Sequence, residues 1–170
     1  MASAIKKKGN FSVRAHVGDC KTLLAWNLSK NQAKNLAGFT IHYTISRDQS
    51  FYIANEWAFE YPEQHAQDAK FPATSSINSP LHKFRWLHIP GSINQGTNPY
   101  YGAYVYTVTP RYFDDSKHLM AIDLSLGASI QVEVGPFSSG EIELGSDLSN
   151  PKHSKFTSET KPYFARKTRR

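Results

Sequence analysis

His153 and Lys155 stand one residue apart in the stretch HSKFTSETK, near the end of a 170-residue chain. An imidazole and an ammonium are side chains that can act on a phosphodiester. The imidazole can attack phosphorus while the ammonium holds phosphate oxygens. That reaction also needs a second histidine as general acid and an acidic residue to orient an imidazole. Only one copy of the pair is present, and residues 150–170 hold no other histidine. The pair is therefore read as a coincidence in a basic segment, and no catalytic residue is assigned. No metal or cofactor is expected either. His82 and His88 are six residues apart, His16 and His42 fall in separate segments, and the single cysteine excludes a zinc knot. Cys20 follows Gly18 and Asp19 at a turn, with no base beside it in sequence, and is read as a spectator thiol. Asp114 and Asp115, in YFDDSKH, are read as a hairpin turn, and no Gly-rich phosphate loop occurs.

Binding chemistry is better represented. Lys83, Arg85 and Arg111 are interleaved with Phe84, Trp86, Tyr112 and Phe113, and such a mixture can hold single-stranded nucleic acid by charge and stacking. In a strand, however, Lys83 and Arg85 face away from Phe84 and Trp86, the ordinary pattern of charge outside and core inside. The second candidate is the tail: Lys152, Lys155, Lys161, Arg166, Lys167, Arg169 and Arg170 stand against Glu159 alone. Residues 1–149 hold thirteen Lys+Arg and thirteen Asp+Glu, so the tail carries the whole net charge of +6. Nucleic acid and anionic lipid are the partners that such a tail would take.

The elements that must position these groups read as strands. FSVRAHV puts Phe11, Val13, Ala15 and Val17 on one face, and TLLAWNL does the same with Leu24, Trp26 and Leu28. GFTIHYTIS, SFYIANEWAF (with Trp57 inward), KFRWLHI, YGAYVYTVTPRYF and SIQVEV alternate likewise. Period two in every run predicts half-buried antiparallel strands. About seven of them, with turn residues between, predict an all-β sandwich. Two long connections interrupt it, residues 61–81 and 90–100. The predicted organisation is a flexible N-terminus over 1–9, the sandwich over 10–145 and a basic, disordered tail over 146–170. A hydrophobic fraction of 39% supplies a core. A single cysteine fits a reducing cytoplasm.

With the strands in place, Trp26 and YGAYVYTVTPRY resemble features of fibronectin type III and immunoglobulin-like sandwiches. Such domains bury an early tryptophan, and a tyrosine near the start of their sixth strand bonds back to the backbone; Tyr104 takes that role by resemblance. HVGDCKTLLAWNL, NLAGFTIHY, SPLHKFRWLHIPGS, PYYGAYVYTVTPRYF and VEVGPFSSGEIELG further resemble, in order over residues 11–145, the N-terminal domain of bacterial phospholipase D-like proteins. In that family the sandwich precedes the hydrolase region, and its catalytic string is His-x-Lys, four residues, then Asp. Thr160 occupies the aspartate position here, so His153 and Lys155 lack their acid. The chain departs from the family at about Gly145. A shifted reading frame over 151–170 can spell something closer to the family's continuation, which suggests a frame-shifted or programmed short form. The resemblance thus implies a non-catalytic accessory domain whose partner is another protein or a hydrolase domain.

Overall fold

The computed structural model describes residues 2–46, 49–90 and 99–136, all within the unit Met1–Phe137. Eight strands follow one another: β1 (Ala2–Lys8), β2 (Phe11–Gly18), β3 (Lys21–Leu28), β4 (Leu36–Ser46), β5 (Gln49–Tyr52), β6 (Arg85–His88), β7 (Gly102–Tyr112) and β8 (Ala128–Val134). All pairings are antiparallel. Sheet A runs β1-β2-β3-β6 and sheet B runs β5-β4-β7-β8. The fold is an all-β sandwich. Among the described residues there is no α-helix, and none is long and apolar enough to cross a membrane.

Alternation builds the core. β3 buries Thr22, Leu24, Trp26 and Leu28 and turns Lys21, Leu23, Ala25 and Asn27 outward. β8 buries Ala128, Ile130, Val132 and Val134 between exposed Ser129, Gln131 and Glu133. The inner faces meet in one cluster centred on Phe39, Ile41, Tyr43, Tyr104, Tyr106 and Val108. Period-two burial on both sheets leaves each an apolar face that only the other covers.

Three expectations need correction. The first strand covers Ala2–Lys8, where the sequence suggested a flexible terminus. Lys8 pairs with Phe11, so Gly9 and Asn10 form a two-residue hairpin loop, and Gly9 at φ +56° supplies the backbone that such turns require. The strand is an edge, and its run of lysines hides the alternation while blunting the edge. Secondly, β5 ends at Tyr52 rather than running through Trp57. Beyond it, Ile53 N donates to Ile41 O (2.9 Å) and Asn55 N to Thr74 O (2.6 Å), drawing the chain toward the long connection.

The third correction concerns that connection. Residues 61–81 read as a long polar connection broken by prolines, yet Ser75–Leu81 are buried. A buried loop is stable only if its polar groups are satisfied. Leu81 and Phe39 exchange backbone bonds of 2.8 and 2.9 Å. Ser76 Oγ donates to Ile41 O (3.1 Å) and accepts from Ile41 N (3.2 Å), and Thr40 Oγ1 donates to Ser76 O (2.7 Å). Gly38 makes the approach possible. It sits at φ +140°, and a Cβ there would lie 2.6 Å from Leu81 O.

Candidate interaction surface

The three body cations grouped by sequence are dispersed by the fold. Lys83 is exposed on the rim of a cleft just before β6. Arg85, two residues on, lies on the outward face of sheet A, opposite Ala25. Arg111 is 2% exposed and is not available to a polyanion. On β7 it shares the face of Thr109, away from Tyr104, Tyr106 and Val108 of the core, and the long connection covers it there. Lys152, Lys155, Lys161, Arg166, Lys167, Arg169, Arg170 and His153 lie outside the described residues.

Arg111 holds that connection in place. Its Nη1 donates to Ile77 O (2.6 Å) and Thr40 Oγ1 (3.0 Å), and its Nη2 to Met120 O (2.9 Å). Carbonyls, not a carboxylate, receive the charge. Burial lowers its pKa to about 10, the Tyr52 phenol opposing the shift, so the guanidinium remains charged at neutral pH. One side chain thereby ties β4, the 75–81 segment and the chain after the Asp114–His118 hairpin. In that hairpin Asp114 Oδ1 accepts from His118 N (2.8 Å), and its Oδ2 lies 3.7 Å from His118 Nδ1.

Above this anchor the connection is braced by its own side chains. Asn78 Nδ2 donates to Asp68 O, Phe71 O and Pro72 O at 3.0–3.1 Å, while its Oδ1 accepts from Asp68 N (2.7 Å). Asn55 Nδ2 donates to Ser79 O (3.2 Å) and Pro80 O (3.3 Å), and Ser79 Oγ to Trp57 O (2.5 Å). The Trp57 backbone is therefore fixed, yet its side chain is 76% exposed. It borders a cleft of about 240 Å³ with Glu56, Phe59, His82 and Lys83. Phe59 in turn stacks on His65 at 3.8 Å, and His65 Nδ1 accepts from Leu119 N (3.0 Å). Burial, reinforced by His118, holds the His65 pKa below its ordinary value against Glu63 and Asp114. His82 also lines a second cavity, of about 280 Å³, with Phe39 and Phe113. An exposed indole, a stacked phenyl, an ammonium and a carboxylate thus share one end of the sandwich. The sequence carried a signal for it in Trp57, Phe59 and Tyr61, but their spacing of two mimics a strand.

Trp26, Tyr104 and His88 are interior. Trp26 is 5% exposed, with no hydrogen-bond partner for its Nε1. Tyr104 is fully buried and donates its hydroxyl to Tyr100 O (2.7 Å). His88, 4% exposed, places Nδ1 2.6 Å from the Tyr106 hydroxyl, and burial lowers its pKa to about 4. Burial pushes the Tyr106 phenol upward, with Tyr104 and Tyr43 adding to it and Thr22 opposing. A neutral imidazole and a protonated phenol are consistent with a packed core pair. Among the described residues no group of three His, Cys, Asp or Glu side chains could hold a metal. Comparison with protein-family models, curated proteins and solved structures gave no match for this chain.

Proposed function

We propose that the chain is a non-catalytic interaction domain of fibronectin III type, akin to the N-terminal domain of bacterial phospholipase D-like proteins. It docks on a protein surface, a hydrolase domain in that setting, through the Trp57 end of the sandwich. The strand order supports the first part. Setting β1 aside, β2-β3-β6 and β4-β7-β8 follow the A-B-E and C-F-G arrangement of immunoglobulin-like sandwiches, with β5 added beside the C position.

The observation that carries the docking is Trp57, 76% exposed on a backbone pinned by Ser79 and Asn55. Tryptophan supplies large contact area with few rotatable bonds and dominates many protein interfaces. A pre-fixed loop loses little conformational entropy when it binds. Lys83 and Glu56 at the rim offer charge of both signs, as a protein surface requires.

Calorimetric titration of this chain with a separately produced hydrolase region, encoded beside it, tests the reading. Binding should be measurable, and Trp57→Ala should weaken it about tenfold or more. No binding, equal binding by the variant, or no hydrolase coding sequence beside the gene in any frame would end the docking reading. The non-catalytic part has its own assay. The chain should not turn over phosphodiester model substrates, and turnover lost in His153→Ala would refute it.

A further inference from the structure

The balanced charge of residues 1–149 hides a segregation. β1, β2, β3 and β6, the whole of sheet A, contain no Asp or Glu. The acids of the described residues sit in turns and connections, apart from Glu133 on β8. The outward positions of sheet A instead carry Lys7, Arg14, Lys21 and Arg85.

Strand register places these groups. Ile5, Arg14, Ala25 and Arg85 form one row across the four strands, and Ser3, His16, Leu23 and Leu87 form the next. Arg14 and Arg85 therefore flank Ala25 from two strands apart, about 10 Å at ordinary strand spacing. The alanine leaves room between them for an anion reached from both sides. Among the described residues neither guanidinium has an ion-pair or hydrogen-bond partner. Beside that gap lie Leu23, 37% exposed, and Leu87, 49%, with Ile5 at 49% at the far edge.

We infer that the outer face of sheet A docks on an anionic phospholipid bilayer. A lipid phosphate sits between Arg14 and Arg85, where a guanidinium fork matches phosphate oxygens. Leu23 and Leu87 enter the headgroup region beside it. The match is one of charge and depth. A surface of one sign suits a partner of the other sign that needs no detailed pattern, and exposed aliphatic side chains gain only where the partner has an apolar interior. Nucleic acid fits less well, because His16 is the one ring that faces outward from the Arg14 and Leu23 rows, and no Phe, Tyr or Trp stands there to stack successive bases. The Trp57 end, with both signs of charge, is the better protein surface.

The test uses the full chain, so the basic C-terminal residues are common to every variant. Wild-type protein should co-sediment with vesicles of phosphatidylcholine and phosphatidylserine, and not with phosphatidylcholine alone. Arg14→Gln with Arg85→Gln should weaken binding about 25-fold, roughly fivefold for each charge near an anionic surface. Leu23→Gln with Leu87→Gln should also weaken it and make the remainder fully salt-sensitive. All four positions face outward, and unchanged melting temperatures check that the variants fold. Trp57→Ala should bind vesicles as wild type does, which separates this surface from the protein-docking end. Three results would overturn the inference: no binding by wild type, double variants that bind vesicles as tightly as wild type, or variants that lose duplex DNA binding while vesicle binding persists.

Discussion

Burial holds His88 neutral, and that gives the fold a dependence on pH with a definite sign. In the unfolded chain its imidazole titrates near 6.5; in the core its pKa is about 4. Below about pH 6.5 the unfolded state takes the proton first, so stability falls as pH drops toward 4 and the loss levels off below that. A depression of this size corresponds to about 3 kcal/mol. Burial lowers His42 too, in the same sense. His88→Gln should keep a polar partner for Tyr106 while removing the titration. Urea denaturation of both proteins between about pH 7 and pH 4 would read the difference; parallel curves would show that His88 does not titrate in this way. Arg111 makes the opposite kind of contribution, since it is buried and charged. Arg111→Met preserves much of the volume but leaves Ile77 O and Met120 O without their donor. A cost of about 3 kcal/mol or more is expected from two buried, charge-assisted bonds. A change under about 1 kcal/mol in denaturant unfolding would mean that water replaces the guanidinium. Neither environment was legible in the sequence. Arg111 was grouped with surface cations because its neighbours in sequence are aromatic, and nothing beside His88 in sequence marks it as buried; their partners are Tyr106 for His88, and Ile77, Thr40 and Met120 for Arg111.

Strands were legible where alternation was strong and both ends were marked by turn residues. β2, β3, β4, β7 and β8 lie where FSVRAHV, TLLAWNL, GFTIHYTIS, YGAYVYTVTPRYF and SIQVEV suggested. β1 escaped because an edge strand needs little apolar surface, and its lysines read as a charged end. Residues 75–81 escaped for a different reason. Their burial is licensed by hydrogen bonds to β4, and composition carries no trace of such bonds. Gly38 is the position where that contact is most exposed to disruption. At φ +140°, with Leu81 O 2.6 Å from a built Cβ, alanine cannot be accommodated without moving the loop. Gly38→Ala should cost about 1–3 kcal/mol from backbone strain alone, with the steric conflict added. Hydrogen exchange should show the Phe39 and Leu81 amides, paired at 2.9 and 2.8 Å in the native fold, losing protection before those of β2 and β3. Uniform loss across both sheets would mean that the connection is part of the cooperative core and not a separately anchored piece.

Charge is the property in which the sequence and the folded molecule differ most. Counted along the chain, residues 1–149 are balanced, thirteen basic against thirteen acidic, and the net +6 belongs to the tail. Counted over the fold, sheet A has cations and no carboxylates, while the acids gather in the connections and on β8. Segregation of this kind cannot be read from a running sum, because it arises when strands distant in sequence, such as β2 and β6, are laid into one sheet. It also has a consequence that does not depend on the identity of any partner. A neutral molecule with one basic face presents a local potential that net charge does not describe, and a charged surface responds to that potential. The core cluster ends at Val134, so a protein cut after residue 149 keeps every apolar contact described and should melt close to the full chain. At neutral pH it should still be retained on a cation exchanger despite its balanced charge. Arg14→Gln with Arg85→Gln should abolish that retention, whereas neutralising Lys30 and Lys34, in the β3–β4 connection, should shift elution less. Passage of the truncated protein straight through the column would show that the connecting acids screen sheet A and that its face is not basic in solution.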